Sequence, residues 1–256
     1  MVKAWLEGDW DVVAGAFFDC WQRDKHVIQP FTIPTDWTRF LSFDWGSAKP
    51  FSVGWWAVSD GSILPRGALI RYREWYGASE PNVGLKLFAE QVADGILDRE
   101  RKAGERRGPD RTPEIAWITG GIADPACWKV DGGPSVAERM ARSGVFFGKA
   151  DNSRINGWDQ VRQRLIGEDG EPMMYIFSNC VDTIRTLPLM QHDDNRPEDI
   201  DSDMEDHAVD EIRYACMSRP LVRKTVKKEP MKLQHEYTMN DLIKASDMAQ
   251  PRKGRI

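Results

Sequence analysis

The chain alternates between two hydrophobic rhythms, and the switches between them predict its elements. Arg39 to Phe43 is a short apolar-rich run ending in Asp44-Trp45-Gly46, and Phe51 to Val58 is β-branched and aromatic. Ser59-Asp60-Gly61-Ser62 supplies turn chemistry before a third run, Ala68 to Tyr76. Three such runs on short turns predict an antiparallel meander. From Asn82 to Arg107 the period lengthens. Val83, Leu87, Val92, Ile96 and Leu97 recur at roughly helical spacing until Gly104 and Gly108-Pro109 stop the pattern. Strand character returns over Glu114 to Ile122 and ends in Ala123-Asp124-Pro125. Val136 to Ser143 then reads as a helix, Gly144 to Gly148 as a strand, Trp158 to Ile166 as a helix and Met173 to Phe177 as a strand. Val181 to Met190 is a helix broken or kinked at Pro188, and Met204 to Met217 is a strongly amphipathic helix.

This order predicts an α/β fold, a mixed β-sheet with helices on both faces. Residues 1–37 read as a linker-like N-terminal arm with one short helix around Val12 to Gln22. Residues 38–219 carry the domain, and 220–256 form a basic tail.

Composition adds a core and a charge asymmetry. The 256 residues are 41% hydrophobic and include 11 Trp, enough for a sizeable buried core. Of Trp45, Trp55, Trp56, Trp75, Trp117, Trp128 and Trp158, all but Trp45 and Trp128 lie in predicted elements and are expected in the core, which leaves those two as candidates for stacking on nucleic-acid bases. No apolar run reaches the roughly 18 residues of a membrane span, and the start lacks the order of a signal peptide. The expected location is the cytoplasm, without a membrane partner. Cys20, Cys127, Cys180 and Cys216 are far apart with no CxxC pair, which argues against a zinc site and a disulfide partner. Net charge is −5, yet Arg219 to Ile256 holds ten Lys or Arg against four Asp or Glu. A second basic cluster, Arg99, Arg101, Lys102, Arg106, Arg107 and Arg111, is a solvated helix face or a DNA contact. The acidic excess gathers between Asp193 and Asp210, and its loop 193–203 is expected near the cleft, disfavouring DNA entry.

Three segments carry candidate chemistry. Asp44 follows an apolar strand, and Gly46 is expected to leave room for a ligand; the bland alternative is a turn cap. Asp124 follows the strand that runs into Gly120-Gly121; its bland alternative is a turn-forming Asp-Pro pair. In MEDHAVDEIRYACM, Asp206 and Asp210 share a helix face and His207 neighbours Asp210, while Ala208, Ile212, Ala215 and Cys216 point into the core. The macrodipole alone also favours acids in a first helical turn. Acids on two strands and a late helix can converge at one end of a sheet. Their oxygens suit two divalent cations, Mg²⁺ or Mn²⁺, acting on a phosphodiester. His207 is then placed to orient water or phosphate, or to take up a proton.

At these residues the chain resembles the nuclease domain of the large terminases of tailed phages and herpesviruses. WLEGDWDVVAGAFF resembles the segment between their ATPase and nuclease domains. FLSFDWGS resembles the first catalytic strand, ITGGIADPA the second acidic motif, and SNCVDTIRTLPLM with DHAVDEIRYA the end of the domain. The resemblance implies a ribonuclease H-like fold and endonucleolytic cutting of concatemeric double-stranded DNA during genome packaging, at the procapsid in the host cytoplasm. It implies that Asp44, Asp124 and Asp210 hold the metals, with His207 beside them and Asp206 as an accessory ligand. It also implies partnership with a portal protein and with the terminase ATPase domain. No Gly-x-x-x-x-Gly-Lys-Ser/Thr loop occurs here; Gly148-Lys149-Ala150 lacks the preceding glycine and the hydroxyl, so no ATPase activity is expected of this chain. Two competing readings are another ribonuclease H-like nuclease, of resolvase or transposase type, and a non-catalytic module docking to portal or DNA through the basic tail.

Overall fold

A computed structural model of the protein describes residues 15–107, 114–168 and 170–221. Its elements, in chain order, begin with α1 (Arg23–His26), β1 (Val27–Ile28), β2 (Thr38–Asp44), β3 (Ser52–Val58) and β4 (Leu69–Tyr76). There follow β5 (Ala78–Glu80), β6 (Val83–Gly84), α2 (Ala89–Lys102), β7 (Glu105–Arg107), β8 (Ala116–Ala123), α3 (Val136–Arg142) and β9 (Gly148–Lys149). The last are α4 (Arg154–Ile166), β10 (Met174–Phe177), α5 (Val181–Thr186) and α6 (His207–Ser218).

Eight strands form one sheet in the order β1-β10-β4-β3-β2-β8-β7, with β9 also pairing β8. The hydrophobic meander β2-β3-β4 is antiparallel, whereas β8, β10 and the shorter strands join parallel. β2 is buried at every position after Thr38, and β3 at every position before Val58, as expected of central strands covered on both faces. Two neighbouring tryptophans of β3 identify the covers. Trp55 Nε1 donates to Glu100 of α2 at 3.2 Å, and Trp56 Nε1 donates to Glu211 of α6 at 2.9 Å. Successive strand residues face opposite sides, so α2 and α6 lie on opposite faces of the sheet. The result is the mixed α/β sheet with helices on both faces that the sequence predicts. α3 flanks α2 through Arg139 and Glu90 (2.6 Å), and α4 packs along α6.

Several boundaries depart from the sequence reading. Within the described part of Val12 to Gln22 there is no α-helix; residues 15–20 are turns and an isolated bridge, and the helix is Arg23–His26. Residues 15–37 supply Phe17, Phe18, Trp21, Ile33 and Trp37 to the core, and β1 pairs with β10 at one end of the sheet. The helix over Asn82 to Arg107 is shorter, since Val83 belongs to the β5–β6 hairpin and Glu105–Arg107 to β7. Val83 and Leu87 fall in helical phase by coincidence. Gly144 to Gly148 is not a strand; only Gly148 and Lys149 pair, with Ile122 and Ala123. Val181 to Met190 is α-helical to Thr186 and then a 3-10 turn, Leu187–Leu189, where Pro188 cannot donate the α-helical bond. α6 begins at His207 and not at Met204.

The basic cluster has settled around β7, whose Arg106 pairs with Trp117 near the start of β8. Arg107 is bound by Glu100, Arg101 and Lys102 lie beside Asp98, and Arg99 stacks on Trp75. Arg111 and the tail from 222 onward lie outside the described residues. No helix among the described residues is long and apolar enough to cross a membrane.

Candidate functional site

The parallel pairing of β2 and β8 brings the two strand-borne acids together. Phe43 is in register with Ala123, so Asp44, closing β2, and Asp124, just beyond β8, emerge at the same end of the sheet. Asp124 N donates to Phe43 O at 3.0 Å, which fixes the two backbones. A bulge in β8, where Arg39 pairs Ile118 but Leu41 pairs Gly121, sets this register. Gly120 sits in the bulge at φ 147°, which the absence of Cβ permits. Asp124 also caps the 3-10 turn Pro125–Trp128, Oδ1 accepting from Ala126 N at 3.0 Å. Its turn-forming and site-forming readings hold together.

α6 enters over these strand ends. Asp206 is its N-cap residue, and its side chain makes no capping bond. His207 Nδ1 lies 3.2 Å from Asp44 Oδ2 and 4.0 Å from Asp206 Oδ1. Asp210 Oδ1 accepts from Arg213 Nε at 2.9 Å and Nη2 at 2.7 Å, and its Oδ2 lies 3.7 Å from Arg154 Nη1. The stripe Ala208, Ile212, Ala215 and Cys216 is buried in the core.

Electrostatics mark this as a crowded, negatively charged pocket. Burial first, then the charges of Asp210 and Asp124, hold the Asp44 carboxyl well above the ordinary carboxylate range; Arg213 opposes them. Burial and Asp210 push Asp206 up to about 7. Burial lowers the His207 imidazole and Lys49 adds to that, against the carboxylates of Asp206 and Asp210. Asp44 and Asp206, so raised, have no Lys or Arg within ion-pair distance among the described residues, and the oxygen donors of the cluster suit a hard divalent ion. The donor chemistry therefore fits the metal, while the present orientation is not a finished cage. Among the described residues no three His, Cys, Asp or Glu groups are arranged to hold an ion as they stand. The reason is visible: Asp210 is turned to Arg213, and Asp124 to the Ala126 amide.

One expectation fails locally. A Cβ at Gly46 would run into the Lys49 and Pro50 carbonyls, so this glycine serves the tight return of its own loop and not the approach of a ligand. The sequence reading also missed the charged residues around the acids. Glu211 is fully buried, where it accepts from Ser42, Trp56 and Arg71. Arg154 and Arg213 flank Asp210, and Lys149 lies in register with Ala123, beside Asp124. The available signal was the presence of Arg71 and Arg213 in otherwise core-facing segments, where a charge needs a partner. Asp199, read as part of a free acidic loop, is buried between Arg154 and Trp158.

No protein-family model and no curated protein sequence matches the chain. Solved structures do. The large terminase of a thermophilic bacteriophage superposes with a TM-score of 0.61 at 19% identity, covering 80% of this chain and 44% of that one. The P22 large terminase nuclease domain gives 0.57 at 16% identity, covering 78% of this chain and 90% of that one. The large terminase nuclease of a second thermophilic phage, G20c, solved with bound cobalt, gives 0.51 at 9% identity over 80% and 98%. The chain thus spans less than half of the first of these proteins, at 44%, and nearly all of the two isolated nuclease domains, at 90% and 98%. The eight-stranded sheet and its helical covers are those of one fold, that of the large-terminase nuclease domains.

Proposed function

We propose that this chain is the metal-dependent endonuclease domain of a viral large terminase, cutting concatemeric double-stranded DNA during genome packaging. The carrying observation is the meeting of Asp44, Asp124 and the first turn of α6 at one sheet end, with Asp44 buried and repelled by its neighbours. Asp44, Asp124 and Asp210, with Asp206 accessory, would hold two divalent cations, Mg²⁺ or Mn²⁺. The chemistry supplied there when they are bound would be activation of a water and stabilisation of the leaving oxygen of a phosphodiester.

The chain's own residues do the rest. Ser42 and Ser52 beneath Asp44, together with Glu211, tie α6 to the strands and so set the spacing of Asp210 from Asp44. His207 keeps Nδ1 toward Asp44 and makes no hydrogen bond through Nε2 among the described residues, leaving that nitrogen to orient water or phosphate. Burial keeps the imidazole uncharged near neutral pH, so it is ready to accept a proton. By the same reading, the portal protein and the terminase ATPase domain are its partners at the procapsid.

The test is cleavage of supercoiled plasmid with Mn²⁺, Mg²⁺ or EDTA by the wild type, Asp44→Asn and Asp210→Asn. Metal-dependent nicking and linearisation, reduced at least about 100-fold in both variants, is the expected result. Full cleavage by Asp44→Asn would remove the assignment of that residue. No cleavage by folded protein with any metal would instead favour the docking module.

A further inference from the structure

Arg154 occupies an unusual position between two groups of acids. It opens α4, and its guanidinium faces both the 193–203 loop and the acid cluster. Nε donates to the Asp199 carboxylate at 2.9 and 2.8 Å, and Nη2 donates to Ser202 Oγ at 3.2 Å. Nη1 points to Asp210 Oδ2 but stops at 3.7 Å, beyond hydrogen-bonding distance. Among the described residues Nη1 donates to no group closer than that. One edge of the guanidinium is thus fixed, while the other faces the site with unused donors. The underside packs over Trp158 at 5.3 Å, and the side chain is 30% exposed.

Arg213 differs in exposure and grip. It is 2% exposed, holds Asp210 through two nitrogens, and is sandwiched against Trp158 and Tyr214. Its Nη1 also has no hydrogen-bond partner, but that nitrogen is buried, so Arg213 is a fixed counter-ion, whereas the free Nη1 of Arg154 belongs to a side chain reachable from solvent. A planar cation with free donors beside a cluster of carboxylates suits an anion that arrives together with a metal.

We propose that Arg154 is a substrate-binding residue of this site, its Nη1 edge donating to a phosphate oxygen of the DNA strand while Asp199 and Ser202 hold the opposite edge. Resting on the nuclease reading, this goes beyond the acid cluster to the residue that receives the phosphate. The acidic loop gains a specific role from it: Asp199 aims the guanidinium, and is not one more charge repelling DNA. When cations neutralise Asp210, its pull on Nη1 weakens and a phosphate oxygen becomes the better acceptor.

A merely structural Arg154, one that only pins the loop, predicts that cutting the tether from either side has the same effect. The proposal predicts unequal effects. Binding of a short fluorescein-labelled duplex would be followed by anisotropy in Ca²⁺, for the full chain and for Arg154→Ala, Arg154→Lys, Asp199→Asn and Ser202→Ala. Thermal melts establish that each variant is folded, and Ser202→Ala covers the case in which Asp199→Asn is not. Arg154→Ala should weaken binding about tenfold and reduce the salt slope by about 0.9, the share of one phosphate contact. Arg154→Lys should keep most of the salt slope but recover only part of the affinity. Asp199→Asn and Ser202→Ala, which misaim the guanidinium but keep its charge, should lose less affinity and leave the salt slope unchanged. Unchanged affinity and slope in Arg154→Ala, or equal losses in Arg154→Ala and both tether variants, overturns the proposal. So does a wild type that binds no duplex. Wild-type plasmid cleavage with Mn²⁺, run in parallel, separates the two failures: cleavage with an inert Arg154 sinks this inference alone, and no cleavage sinks the nuclease reading.

Discussion

The Glu211 carboxylate meets the Arg71 guanidinium on the face of the sheet beneath the acid cluster, and both side chains are 0% exposed. Ser42 Oγ and Trp56 Nε1 also donate to Glu211, and Gly54 provides the space, since a Cβ there would collide with both charged groups. Burial pushes the Arg71 guanidinium down, but Glu211 and then Glu74 more than offset it. Glu74 in turn accepts from the backbone of Asp182 and Thr183 at the start of α5. One buried chain of charge therefore joins α6, β4 and α5.

Breaking this pair from one side leaves an uncompensated buried charge. Glu211→Gln or Arg71→Met should each destabilise the protein by about 3–5 kcal/mol, measured by urea unfolding. The double variant Arg71→Met with Glu211→Leu should lose distinctly less than the sum. Additive losses would mean that the two groups are held independently.

The acids above this pair set a pH dependence. Asp206, pushed up to about 7 by burial and Asp210, keeps its proton in the folded chain after an unfolded carboxyl near 3.8 has lost it. Between those values the folded state binds more protons, so stability falls as pH rises through the window. Asp44 acts in the same direction, while His207, lowered by burial, favours the fold as pH rises toward its ordinary value of 6.5 and adds nothing further above it. Without metal, Asp206→Asn should raise Tm at about pH 8 by at least roughly 3 °C, and by less at about pH 5, where the folded Asp206 carboxyl keeps its proton. Mn²⁺ should stabilise the wild type more at about pH 8 than at about pH 5, where protons compete for the same oxygens. A metal effect independent of pH would contradict this.

In the 193–203 loop the structure divides the acids by task. Asp199 is buried in bonds to Arg154, Trp158 and the Ile200 amide, and Asp193 accepts from the amides of Asn195 and Arg196. Asp194, Glu198 and Asp203 are exposed. Replacing these three with Asn, Gln and Asn should raise duplex affinity about two- to tenfold at low salt, with the gain vanishing as salt screens it. Tm should hardly change. Equal affinities at low salt would show that the loop lies away from the DNA.

How much of this was legible in the sequence depends on whether the governing interaction is local. β2, β3 and β4 could be read because alternation, aromatic residues and turn chemistry coincide within each segment. Val83 misled because one residue of a two-residue strand, with Leu87 after it, fell in phase with α2, and so short a strand shows no period of its own. Asp44, Asp124, Asp206, His207 and Asp210 were readable as polar groups at the ends of apolar elements, and the register of β2 with β8 brings the two strand acids to one end. Glu211 and Arg154 were not, because their partners lie on other elements: Arg71 is 140 residues from Glu211, and Asp199 is 45 from Arg154.

The basic cluster supplies a prediction in the opposite sense. Arg106 pairs with Trp117 near the start of β8, and Asp124 follows the end of that strand. At about 3.3 Å per residue the two positions are separated by roughly 23 Å along the strand. That is more than twice the Debye length of about 8 Å at physiological salt. Arg106 cannot therefore act electrostatically on phosphates lying over the acid cluster, Arg101 is 3.7 Å from Asp98, and most of their neighbours are already engaged by Glu100, Asp98 and Trp75. The double variant Arg101→Ser, Arg106→Ser should leave metal-dependent plasmid cleavage within about twofold of wild type and leave the salt slope of duplex binding unchanged. A drop in that slope of about two, the share of two phosphates, would mean that DNA runs along the β7 edge as well, and the path over the sheet end would have to be redrawn.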